Sequence, residues 1–199
     1  KLTSDPIRMY LSQMAEIPLL TRDEEISLAK KIEVSRKRFR RAVLGCDYAL
    51  RTTVETLRRV HRGELPFDRT IKVSLTEQLT KEQILARMPH NLRTLDHLME
   101  KNRLDFSRLI RKSTSSKERR GIRRGFVRRR RKCLQLVEEL SLRTRRVQPL
   151  MAQLDAFADR MDRIRASLRG SAKDRMSQSE RTNLRRELRD LMNVTQESP

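Results

Sequence analysis

The chain has 199 residues, 37% of them charged and 4% aromatic, and its 47 Lys and Arg exceed its 26 Asp and Glu to give a formal net charge of +21. That length allows one cooperative domain or two small helical units, and a Leu, Ile, Val and Phe content of about a quarter clears the roughly one-fifth level below which disorder is the default. Five Gly and six Pro in so charged a chain argue against sheets and flexible repeats, and the positive excess makes polyanions, nucleic acid first, the leading partner class.

Asp5-Pro6 reads as a helix start, because Asp accepts hydrogen bonds from first-turn amides and Pro has no amide to leave unpaired there. A first helix to about Ala15 follows, with Ile7, Tyr10, Leu11 and Met14 on one face, expected to pack, and Arg8 and Ser12 on the other. Thr21 with Glu24 is a capping box, and Ile26, Ala29, Ile32, Phe39 and Val43 carry a second helix to about Leu44, where Gly45 breaks it. Tyr48, Val54, Leu57 and Val60 support a third. The stretch from Gly63 to Asp68 reads as a loop, and Ile71, Val73 and Leu75 as a short extended piece.

Thr80 with Gln83 is a second capping box, opening a short helix that should stop near Met88 because Pro89 disfavours helical geometry in its predecessor. Another helix is expected from Pro89 to about Lys112. Ser115 with Glu118 is a third box, opening a basic helix to about Leu142. From Val147 the apolar positions Leu150, Leu154, Phe157, Met161, Ile164 and Leu168 follow a strict heptad seam. Gly170-Ser171 supplies a turn, Ser177 with Glu180 a fourth box, and Leu184, Leu188 and Leu191 a second seam that can fold back on the first. With no closing element at Pro199, the chain is read as part of a longer protein.

Chemistry is sparse. There is no glycine-rich phosphate loop, no HExxH, no nucleophile elbow and no close Ser/His/Asp set, so the chain is not read as an enzyme and no cofactor is expected. His90, His97 and Glu100 fall near one another on a predicted helix but lack a further strong ligand, and are read as polar surface rather than a metal site. Cys46 and Cys133 lie far apart without ligand spacing and are read as reduced, at least partly buried thiols. No run approaches the roughly 18 uncharged apolar residues of a spanning helix, and no secretory signal opens the chain, so a soluble cytoplasmic protein is expected.

Charge is concentrated between Arg103 and Arg146, where 17 Lys and Arg meet four acids. Arg123, Arg124, Arg128, Arg129, Arg130 and Arg131 are the candidate polyanion- or partner-binding residues. Successive helical residues are about 100° apart, so the four consecutive arginines cannot share one face. A solvated face would mix signs, which favours contact with a polyanion or acidic protein. Of the chain's few aromatics only Phe126 interrupts the arginine run, so no base-stacking platform is visible.

The run Asp5-Pro6-Ile7-Arg8-Met9-Tyr10-Leu11, then Met14, then Leu19 to Ile26, then Leu28-Ala29-Lys30-Lys31-Ile32-Glu33 resembles conserved region 1.2 of the sigma-70 family, in order and without gaps. The remainder resembles the variable helical segment that primary sigma factors carry between region 1.2 and region 2. The resemblance implies promoter recognition with RNA polymerase, region 1.2 meeting the non-template strand of the discriminator just downstream of the −10 element. By position it assigns Arg8, Tyr10, Leu11 and Ser12 to that contact or its support. Ser12 stands where many relatives have Arg, and Ala15 where Gly is usual. The family's −10-reading helix is rich in Trp and this chain has none, so the chain is not expected to melt a promoter by itself.

The sequence is therefore read as all-α: a helical bundle with long antiparallel hairpins and a coiled-coil-like C-terminal hairpin. Residues 1–62 are expected to form the region 1.2-like segment and 63–199 the basic segment, both parts of one continuous unit. The resemblance implies promoter DNA and the RNA polymerase core as partners, with no small-molecule substrate, and a nucleoid-associated protein that is monomeric outside the holoenzyme. The alternative is a structural, basic helical RNA-binding protein.

Overall fold

A computed structural model describes residues 6–15, 19–73, 80–169 and 177–199. The chain divides into two compact units, one ending at Arg38 and the other running from Phe39 to Pro199.

The first unit contains α1 (Pro6–Ala15) and most of α2 (Arg22–Val43). The box ahead of α2 forms as read: the Thr21 amide donates to Glu24 Oε2 at 2.8 Å and the Glu24 amide to Thr21 Oγ1 at 3.4 Å. The Thr21 amide and, after it, the Thr21 hydroxyl, which donates to Glu24 Oε2 at 2.9 Å, hold the Glu24 carboxyl below its ordinary pKa. Asp23, Glu24 and Glu25 open the helix and Arg40 and Arg41 close it, each sign at the end where the peptide dipoles favour it. The stripe expected to pack on α1 does not. Ile7, Tyr10, Leu11 and Met14 are 68, 59, 60 and 50% exposed, and Ile26 and Ile32 of α2 are exposed as well. Periodicity marks which face is apolar, and leaves open what covers it.

In the second unit α3 (Asp47–His61), α4 (Phe67–Thr70), α5 (Lys81–Leu109), α6 (Ser116–Glu138), α7 (Thr144–Val147), α8 (Leu150–Arg169) and α9 (Gln178–Thr195) follow in order. Ala49, Leu50, Val54 and Leu57 of α3, Ile84, Met88 and Leu95 of α5, and Cys133, Val137 and Leu140 at the end of α6 form the core, each at most 2% exposed. The helix break expected before Pro89 is absent: α5 runs through it. A proline cannot donate to the carbonyl one turn back, and its interior position costs about 3 kcal/mol. Ile84, Met88, Leu92 and Leu95 lie on one face and are all buried, each contributing about 1.5 to 3 kcal/mol, so packing outweighs the break.

α5 and α6 form an antiparallel hairpin. Near one end Arg108 pairs with Glu118, in the middle Phe106 meets Phe126 at 6.1 Å, and towards the other end Asn91 Nδ2 donates to the Leu136 carbonyl at 3.3 Å. Of the expected extended piece, Ile71 forms an isolated antiparallel bridge with Leu142, Lys72 N donating to the Ser141 carbonyl at 2.8 Å and Arg143 N to the Thr70 carbonyl at 3.0 Å. Leu75 lies outside the described residues. The basic helix ends at Glu138, before the expected Leu142, because Ser141 turns the chain at φ 50°.

α8 and α9 pair, with Arg160 held on both oxygens of Glu187 at 2.6 and 2.7 Å. Of the heptad seam, Val147, Met161 and Ile164 are buried, Leu150 and Leu154 pack against the core, and Phe157 meets Tyr48 of α3 edge-on at 4.9 Å. The seam thus serves α3 as well as the hairpin. The capping box of Ser177 and Glu180 is complete, and the expected Gly170-Ser171 turn lies outside the described residues.

Candidate nucleic-acid interface

α1 shows solvent both of its faces. Arg8 and Ser12 are one helical turn apart and exposed, so they point to the same side. Tyr10 and Leu11 stand on the apolar face, also exposed. The four residues assigned to this helix are therefore all accessible.

The six arginines singled out on α6 do not act together. Arg123, Arg124, Arg128 and Arg131 are exposed. Arg129 turns into the hairpin, where Nε donates to Asn102 Oδ1 at 2.8 Å and Nη2 to Asp105. Arg130 donates to Glu197 Oε1 at 2.7 Å and to the Gln196 carbonyl at 3.1 Å, and its guanidinium lies 4.9 Å from the centre of the Phe126 ring. These two hold the fold together. A signal for this was available: Arg129 and Arg130 lie three and four residues after Phe126 and, with Cys133 and Val137, share its buried side. Sequence reading also missed Arg119, which donates to the Arg111 carbonyl at 3.0 Å and so closes the connection between α5 and α6.

Other polar groups are committed to structure. Glu100 is paired with Arg103 at 2.6 Å. Asp47 is 3% exposed; burial pushes its carboxyl up, opposed by Arg51 at 2.5 Å. Cys133 is fully buried, and desolvation raises its thiol to about 11, while Cys46 is half-buried and also raised, chiefly by burial. An open cleft of about 370 Å³ beside Cys46 is lined by Leu154, Phe157 and Met161, with Asp162 and Glu197 at its edge. Glu197 is held there by Arg130 at 2.7 Å. Among the described residues no three His, Cys, Asp or Glu converge as metal ligands, and no helix is long and apolar enough to cross a membrane.

The candidate residues thus lie on an exposed amphipathic helix, α1, and on a partly neutralised basic helix, α6. Residues 5–36 match the family model for sigma-70 factor, region 1.2. The chain is 34% identical over 70 residues to the RNA polymerase sigma factor RpoD of Neisseria gonorrhoeae, covering 35% of this chain and 11% of that protein. It is 60% identical over 30 residues to the RNA polymerase sigma factor SigA of Listeria monocytogenes, covering 15% of this chain and 8% of that protein, and equally to SigA of Listeria innocua. The chain thus spans about a tenth of the length of the curated relatives it matches.

Proposed function

We propose that the chain is the amino-terminal part of a bacterial sigma factor and serves promoter recognition and transcription initiation with the RNA polymerase core, by binding and not by turnover. The observation that carries this reading is the region 1.2 match over residues 5–36, supported by an α1 whose candidate contact residues are all exposed. In this reading α1 lies against the non-template strand of the discriminator. Arg8 supplies a charge-assisted hydrogen bond to a phosphate or base edge, and the Ser12 hydroxyl a weaker one on the same side. Tyr10 and Leu11 offer an aromatic and an apolar surface to an unstacked base. The protein works in the cytoplasm on the nucleoid and is monomeric outside the holoenzyme.

The test uses the full-length protein containing this chain, assembled with polymerase core on a promoter. Arg8→Ala is expected to shorten open-complex lifetime about tenfold, the loss of one hydrogen bond from a charged donor at about 1.5 kcal/mol or more. Helicity should be unchanged, because Arg8 is exposed. Unaltered lifetimes, together with retained binding to structured RNA, would favour the RNA-binding alternative.

A further inference from the structure

The ten Lys and Arg of α6 are opposed by only Glu118 and Glu138 on the same helix. Both carboxylates are taken by cations from elsewhere, Glu118 by Arg108 at 2.5 Å and Glu138 by Arg41 at 2.7 Å. Arg119, Arg129 and Arg130 are used within the fold, and Lys132 reaches the Gln135 side chain at 3.4 Å. Lys117, Arg120, Arg123, Arg124, Arg128 and Arg131 remain, all exposed, and none meets a carboxylate among the described residues. At 100° per residue, Lys117, Arg120, Arg124, Arg128 and Arg131 fall within an arc of about 80°, and over about 21 Å of helix they recur every 4.5 to 6 Å or so. The opposite side holds the buried Phe126, Cys133, Leu136 and Val137.

We propose that this outward stripe of α6 is a docking surface for the sugar-phosphate backbone of duplex DNA. Like charges one turn apart destabilise a helix unless an anion screens them, and a row of guanidinium groups spaced by a helical turn can follow successive phosphates of one strand. A single strand fits poorly, because Phe126 is 6% exposed and the face offers no ring for stacking. An acidic protein fits poorly as well: Val127, 38% exposed, is the lone exposed large apolar side chain of α6, and protein interfaces need a desolvated anchor cluster. The phosphate-binding face stands on its own geometry, while the choice of DNA over duplex RNA rests on the promoter-binding reading above.

The experiment measures binding of the full chain to a random-sequence DNA duplex across a salt titration, a substrate without promoter elements. Arg124, Arg128 and Arg131, changed together to Gln, are compared with Arg185, Arg186 and Arg189 of α9 changed likewise, an exposed set that removes the same charge. The α6 variant is expected to lose affinity about tenfold or more and to lower the salt slope by about 3, near 0.9 per phosphate contact. The α9 variant should lose less than about threefold, and Lys at the three α6 positions should restore the slope. Equal losses in the two Gln variants would show that only total charge matters and would overturn the proposal. An unchanged α6 variant that no longer associates with polymerase core would overturn it in favour of a protein partner, and tighter binding to duplex RNA than to DNA would overturn the DNA assignment. Because this duplex carries no promoter element, a missing difference between the α6 and α9 variants bears on the stripe alone, whereas unaltered open-complex lifetimes of the full-length Arg8→Ala protein bear on the promoter reading, so the two failures are distinguishable.

Discussion

Arg129 of α6 reaches across the hairpin to the carboxylate of Asp105 on α5, and the same guanidinium satisfies Asn102, which is 3% exposed. Removing it strands Asn102 and leaves Asp105 with Arg108, at 3.7 Å. Arg129→Ala is expected to cost about 1 to 3 kcal/mol, the usual loss when a buried polar partner is left unpaired. Arg131→Ala, two residues on but exposed, should stay within about 0.5 kcal/mol. Urea denaturation of the two variants compares them; equal midpoints would contradict the division of the basic helix into two sides.

Pro89 lies in the middle of α5, held there by the buried row of Ile84, Met88, Leu92 and Leu95. Pro89→Ala restores a donor for the Leu85 carbonyl and should stabilise the protein by up to about 3 kcal/mol, less whatever packing the half-buried ring contributes. A rise in the urea midpoint at unchanged slope is expected. A fall would mean that the ring packs more strongly than its backbone position costs.

The two cysteines should differ in reactivity. Desolvation holds Cys133 at about 11 and the residue is fully buried, whereas Cys46 is half-buried at the margin of the cleft. Because both thiols are raised, the thiolate fraction at pH 8 is low, and labelling should quicken as the pH is raised towards those values. A thiol-reactive dye in native buffer should modify Cys46 slowly and Cys133 only on unfolding. Rapid labelling of Cys133 would show that the core opens readily around α6.

Much of the fold is local and was legible as such. The boxes at Thr21, Thr80 and Ser177 close as their residues dictate. Ser115 accepts the Glu118 amide, but the Glu118 carboxylate is also drawn to Arg108, ten residues away, a competition that spacing within one helix does not reveal. Pro89 misled for the same reason: the local rule reads a break, and the burial of a long stripe overrides it. The seam from Val147 to Leu168 gave the face of α8 correctly, but not that Phe157 would meet Tyr48. On α1 the residues of the candidate site were legible only through the region 1.2 motif. Its apolar stripe predicted burial, and Ile7, Tyr10, Leu11 and Met14 are exposed.

The proposed role of α1 as a DNA-facing helix is tested most directly at Ser12. Ser12 and Arg8 share an exposed side of α1, so Ser12→Arg should leave the fold intact while adding a guanidinium beside the displaced strand. A well-formed charge-assisted bond there is worth about 1.5 to 3 kcal/mol, roughly tenfold or more in open-complex lifetime. The measurement is the lifetime of open complexes formed by the full-length protein and its Ser12→Arg variant on promoters differing only in the discriminator. A lengthening that depends on discriminator sequence is the predicted result, and identical lifetimes on every promoter would contradict the account.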